Sequence, residues 1–270
     1  MKDNSSSESP FHDVGSVFPD DIGLVQVEPS TTVSEALQLM APKRYSQVPV
    51  IRNGTVCGVF SLWSLAQHLM DFPNLLPQDL DVGDIMEQLP EVTVNDALDQ
   101  LLEHLNRHDA VLVNSPHGPQ AIATGTDVLN YFYNVARPFV LLQEIELSLR
   151  YLIEACITGA DLQACIERAL GWKYKDSKEE LPTTLSEMTF EDYRSIVTAK
   201  GNWEFFRGVL GANKDLAGAK LKQIRKIRND IFHFRDSITV RDHQALTTNR
   251  DWLFEKTEAF KDRQKTEAAK

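Results

Sequence analysis

No run of eighteen apolar residues occurs in this sequence, so no transmembrane helix is expected. Cysteine is scarce: Cys57, Cys156 and Cys165 form no CxxC pair and no metal-ligand spacing. An odd number of cysteines without a signal peptide points to reduced thiols, and so to the cytoplasm. A GxSxG elbow and a P-loop are also missing, which removes two common catalytic readings. Positive charge is short in one half only. Residues 1–137 hold 6 Lys/Arg against 18 Asp/Glu, whereas residues 138–270 hold 22 against 21. The acidic half should not bind nucleic acid by broad attraction, and the near-neutral half can where its bases cluster.

What remains is globular. A length of 270 residues, with 42% hydrophobic and 25% charged, suits two domains. The N-terminus MKDNSSSESP is polar and acidic with no apolar stretch behind it. It is neither a secretory signal nor a transit peptide, and residues 1–19 read as a disordered tail.

The acidic half repeats itself. TTVSEALQLM (31–40) matches VTVNDALDQL (92–101), pairing Val33 with Val94, Ala36 with Ala97 and Leu37 with Leu98. Each copy continues with an apolar strand, SQVPVI or DAVLVN, then a turn, a second strand and a closing helix. The order helix, strand, strand, helix recurs at a period near 61–63 residues, as two copies of one small α/β unit.

This pattern resembles a tandem pair of cystathionine β-synthase (CBS) domains, a Bateman module, over residues 20–137, with copies at about 20–72 and 80–137. The second copy reads AIATGTDVL, in which Thr124 and Asp127 match the family's Ser/Thr-x-x-Asp. The resemblance implies a site for an adenine nucleotide (AMP, ADP or ATP). A carboxylate accepts from two vicinal ribose hydroxyls, and a helix start faces a phosphate. It also implies that Tyr45 and Ser46 form the matching wall and that Ile122 lines the base. The first copy departs from the pattern: Ser61 fits, but Ser64 stands where the acid belongs, so one competent site is expected. The plainer role for Asp127 is a helix N-terminal acid that stabilises the dipole.

After residue 137 the strands stop. Val140, Leu141, Ile145, Leu149, Leu152 and Ile153 predict a long amphipathic helix opening at Pro138. DLQACIERAL predicts a short helix capped by Asp161 and ended by Gly171. Thr189 and Asp192 predict a capping box. WEFFRGVLG, KLKQIRKIRNDIFHF and residues from about 240 to 265 supply three more helices. The expected fold class is α/β followed by all-α.

One helix carries an arginine out of place. With Leu221 at zero and about 100° per residue, Ile224, Ile227, Ile231 and Phe232 fall on one arc, with Arg228 inside it. Lys222, Arg225, Lys226, Asn229 and His233 form an adjoining basic stripe. An unpaired buried guanidinium is expensive and cannot lose its proton. It must meet a carboxylate such as Glu144 or Glu146, lie at a subunit interface, or open into a cleft for an anion. The stretch RNDIFH resembles the HEPN superfamily motif, with Arg228, Asn229 and His233 at its arginine, polar follower and histidine. That resemblance implies a helical bundle over 138–270 and a homodimer. In its catalytic members it also implies a metal-independent endoribonuclease working by attack of a ribose 2′-hydroxyl. Arg228 would stabilise the phosphoryl charge, His233 would transfer a proton, and Asn229 would orient the substrate or the histidine. Lys222, Arg225 and Lys226 would hold the flanking phosphates of an RNA. On an ideal helix Arg228 and His233 point about 140° apart, which ties the expectation to a helix end or a second copy. The remaining histidines, His12, His68, His104, His108, His117 and His243, fit no metal or triad spacing and read as surface residues. Together these features predict a nucleotide-regulated ribonuclease. The alternative is a non-catalytic nucleotide sensor or dimerisation scaffold.

Overall fold

Each repeat begins with a helix whose start is fixed locally. Thr32 caps α1 (Val33–Met40): the Glu35 amide donates to Thr32 Oγ1 at 3.2 Å, and the Thr32 amide donates back to Glu35 at 3.0 Å. The antiparallel strands β1 (Gln47–Arg52) and β2 (Thr55–Ser61) turn at Asn53-Gly54, both of positive φ, which Asn and Gly tolerate best. Helices α2 (Leu62–Asp71) and α3 (Val82–Ile85) follow. The second repeat has β3 (Glu91–Thr93), α4 (Leu98–Leu105), β4 (Ala110–Ser115) and β5 (Gly118–Thr124), with β3 parallel and β5 antiparallel to β4. The computed structural model describes residues 13–18, 24–74, 76–175, 177–178, 180–233 and 238–268. The chain forms two compact units, Met1–Tyr133 and Asn134–Lys270.

The repeat is real, but its register differs from the letter match. Val33 and Leu98 are the first residues of α1 and α4, so Val33 corresponds to Leu98, and Ala36 to Leu101. Val94 lies before α4, and Ala97 is only its cap. Val27 bridges Val50 in parallel as Val92 pairs with Val113. The first copy thus spends two more residues before its hairpin, in the 3-10 turn Ala41–Lys43.

Residues 13–18 correct the expected tail. They form a 3-10 turn, Val14–Val17, with Val14 and Phe18 buried in the core of the second repeat. The Val14 and Gly15 amides donate to the carbonyls of Asp96 and Val94, at 2.9 and 2.8 Å. Val82 and Gly83 do the same to Thr31 and Pro29 of the first repeat, both at 2.9 Å. The sequence DVG occurs at both places, so each repeat is completed by the segment that precedes the other. Residues 1–12 and 19 of the expected tail lie outside the described residues.

In the second unit, α5 (Gly125–Cys156) runs through Pro138 instead of opening there. Proline removes one helical N–H, a loss that a long helix with a packed face absorbs. α6 (Ala160–Tyr174) starts after Gly159 and continues past Gly171, so Asp161 belongs to its first turn and is not its cap. α7 (Phe190–Thr198) has the predicted Thr189–Asp192 box. α8 (Trp203–Leu210), α9 (Lys214–Phe232) and α10 (Val240–Ala268) complete the unit. Ile145, Leu149, Leu152 and Ile153 of α5 share one core with Tyr193, Phe206, Leu221, Ile224 and Leu253. Burial of these side chains is the main favourable term for the bundle. Among the described residues no helix is long and apolar enough to cross a membrane.

Candidate functional site

The hairpins place both repeats around one cleft of about 920 Å³ in the first unit. Its lining is paired. Ser46 and Gln47 at the start of β1 answer Asp109 and Ala110 at the start of β4. Ser61, Leu62 and Trp63 at the start of α2 answer Thr124, Gly125 and Thr126 at the start of α5. Arg107 and His108 add positive or protonatable groups, and Glu87 adds a carboxylate.

Local chemistry sets the α5 end of the cleft. The Thr124 amide and hydroxyl both donate to Asp127 Oδ2, at 2.8 and 2.6 Å. This contact fixes the first turn of α5, whose early amides have no partner within the helix. Both bonds fall on one oxygen, so Oδ1 is left for another donor.

Of the predicted nucleotide residues, Ser46 and Thr124 line the cleft, whereas Tyr45, Ile122 and Asp127 are not in its lining. Tyr45 is 42% exposed, Ile122 pairs with Leu112 on β5, and Asp127 stands behind Thr124. Strand register also reassigns the walls. Gln47 pairs with Ser61, and the Leu62 amide donates to the Ser46 carbonyl at 2.9 Å, so Ser46 accompanies the first repeat's own helix start. Ala110 pairs with Thr124, which brings Asp109 to that side. Arg107, His108, Asp109 and Glu87 were missed from sequence. His108 carried a signal, because it lies just ahead of β4 as Tyr45 and Ser46 lie ahead of β1.

In the second unit, Arg228 is not enclosed by the isoleucines. Ile224, Ile227 and Ile231 are buried, while the Arg228 side chain is 31% exposed at the rim of a groove of about 320 Å³. Its Nε stands 3.9 Å from Glu146, at the limit of an ion pair, and its guanidinium lies over the Phe232 ring at 4.9 Å. Glu146 itself accepts from Arg150 at 2.7 Å. Phe139 meets Phe232 edge to face at 5.7 Å, and the two residues are 40% and 48% exposed. Asn229 is half-buried and His233 is exposed. α9 ends at Phe232, and His233 leaves helical geometry at φ −102°, ψ 2°. The His233 amide still donates to the Asn229 carbonyl at 3.0 Å, so its Cα keeps the helical position and the separation expected from Arg228 stands.

The basic stripe is thinner than its sequence suggests. Arg225 pairs with Glu191 at 3.0 Å, leaving Lys222 and Lys226 exposed. Glu191 also binds Arg194 at 2.6 Å, and these contacts hold its carboxyl below the ordinary value, Arg194 contributing most. Among the described residues, no group of three or more His, Cys, Asp or Glu could hold a metal ion.

The CBS domain family matches residues 19–71. No curated protein matches the chain. Among solved structures, a CBS-domain protein of unknown function from Bacillus anthracis is 18% identical, covering 45% of this chain and 93% of its own, with a TM-score of 0.40. CBSX2 in complex with AMP is 24% identical, over 46% of this chain and 98% of its own, at 0.40. The CBS domain of a bacterial CNNM/CorC-family Mg2+ transporter in complex with ATP is 26% identical, over 44% of this chain and 85% of its own, at 0.37.

Proposed function

We propose that the first unit is a CBS pair that senses an adenine nucleotide and regulates the helical unit through α5. The observation that carries this reading is the paired cleft. It joins the first turn of α5 to Arg107, His108 and Asp109 just ahead of β4, and to Glu87 of the first repeat's side. Phosphate oxygens suit the free amides of a helix start and the cationic side chains. Ribose hydroxyls suit a carboxylate with an open oxygen, and Asp127 Oδ1 is the candidate. α5 carries Asp127 in its first turn and Phe139, Glu146 and Arg150 in later turns, so one helix spans sensor and effector groups.

For the helical unit we propose a HEPN-type, metal-independent endoribonuclease working as a homodimer. Arg228, Asn229 and His233 would be its reacting groups, and Lys222 and Lys226, with Arg225, its RNA contacts. Support comes from the exposed His233 at the helix end, the solvent-facing groove beside Arg228, and the exposed rings of Phe139 and Phe232. A second reading, a scaffold without catalysis, draws on the Glu146 carboxylate facing Arg228. The experiment is cleavage of a mixed RNA by the full chain with and without AMP or ATP, beside His233→Ala and Asp127→Asn. The ribonuclease reading expects cleavage lost in His233→Ala and a nucleotide response lost in Asp127→Asn. Cleavage that survives His233→Ala, or none under any condition, removes it and leaves the scaffold.

A further inference from the structure

We propose that Glu87 supplies the carboxylate that the first repeat lacks and forms a second ribose-binding subsite in the cleft. The proposal rests on the nucleotide reading above.

In the second repeat the Thr124 hydroxyl donates to the carboxylate three residues ahead, on Asp127. The same place in the first repeat holds Ser64. Its hydroxyl oxygen accepts from the Ser61 amide at 3.2 Å, and its amide donates to Ser61 Oγ at 2.9 Å. This completes the helix cap but offers no negative charge. The Ser61 hydroxyl donates instead to Glu87 Oε1, across 26 residues of sequence. At both helix starts a hydroxyl of the cleft lining donates to one oxygen of a carboxylate, Thr124 to Asp127 just outside the lining and Ser61 to Glu87 within it, and the second oxygen is left over. Ser61 and Ser64 are themselves buried, while Glu87 lines the cleft.

The backbone holds Glu87 at this place. Its amide donates to the Val59 carbonyl at 2.9 Å, and the Val59 amide donates to the Glu87 carbonyl at 2.8 Å. Gly58 leaves room for this approach, since a Cβ there would stand 2.9 Å from the Glu87 carbonyl oxygen. The Glu87 oxygen that Ser61 leaves over calls for a ligand with hydroxyl or amine donors. Phosphate is repelled at this end and attracted to Arg107 and His108, also in the lining. A nucleoside moiety with its phosphates directed away from Glu87 meets both conditions.

The test is calorimetric titration of the full chain with AMP, on the native sequence, Glu87→Gln and Asp127→Asn, with thermal melts confirming the fold. The inference expects a second equivalent of AMP in the native chain. It expects Glu87→Gln to weaken one equivalent by about tenfold or more, as loss of a charge-assisted hydrogen bond does. Asp127→Asn should remove the other equivalent. A single equivalent, lost in Asp127→Asn and unchanged in Glu87→Gln, keeps the nucleotide reading and overturns this one. No binding by the native chain overturns both. Should Glu87→Gln fail to fold, Ser61→Ala decides: the second equivalent should weaken, and unchanged titration refutes the subsite.

Discussion

His243 shows how a single side chain departs from its letter. It read as a surface residue, yet its Nδ1 is buried without a hydrogen-bond partner among the described residues. Burial, then the charge of Arg137, push its pKa below the ordinary 6.5, against the pull of Asp242. A base with a depressed folded-state pKa binds fewer protons when folded than when unfolded. The stability it permits is complete above pH 6.5 and declines as pH falls below that value. The thermal unfolding temperature should therefore fall between pH 7.5 and pH 5.5, and His243→Gln should flatten that part of the profile. An equal drop in His243→Gln would assign the effect elsewhere. Arg228 departs in the opposite direction. Its angular position put it among isoleucines, but helix angles fix only the direction of a side chain. The groove beside Glu146 decides its exposure. Thr124 and Asp127 were matched through the CBS resemblance, and the contact between them was foreseeable because a hydroxyl and an acid three residues apart meet locally. Glu87 was not, because its contact with Ser61 spans 26 residues.

At the scale of elements, both hairpins and the helices after residue 137 followed from apolar periodicity. Register was harder. Shared letters, Thr-Val and Ala-Leu, aligned the end of β3 with the start of α1, whereas the pattern of burial aligns α1 with α4. Pro138 misled for a physical reason: proline favours a helix start, but a long packed helix tolerates it inside. The exchanged DVG segments were unread because each packs against the more distant copy. They carry a direct prediction. Phe18 is buried in the core of the second repeat, so Phe18→Ala should destabilise the first unit by about 3 kcal/mol. Denaturant unfolding checks this, and a change within about 0.5 kcal/mol, as at a surface site, would return residues 13–18 to a tail. Gly83→Ala should act in the same direction, since its Cβ would stand 2.8 Å from the Pro29 carbonyl oxygen.

For the molecule as a whole, composition separated an acidic α/β half from a near-neutral helical half, and the structure divides the chain near the same point. In the proposed reading, function depends on what the shared helix α5 transmits. Nucleotide at its first turn can act on the helical unit only by favouring one state of that unit over another. Hydrogen–deuterium exchange of the full chain with and without AMP tests this most directly. The account predicts slower exchange at Ser46–Gln47, Glu87–Leu89, Arg107–Ala110 and Thr124–Thr126, together with altered exchange over residues 139–150 and 228–233. In Asp127→Asn the protection at Thr124–Thr126 and the altered exchange over residues 139–150 and 228–233 should vanish, whereas the equivalent held at Glu87 keeps its protection of Glu87–Leu89. Unchanged exchange at the cleft, or altered exchange over residues 139–150 and 228–233 that persists in Asp127→Asn, would contradict it.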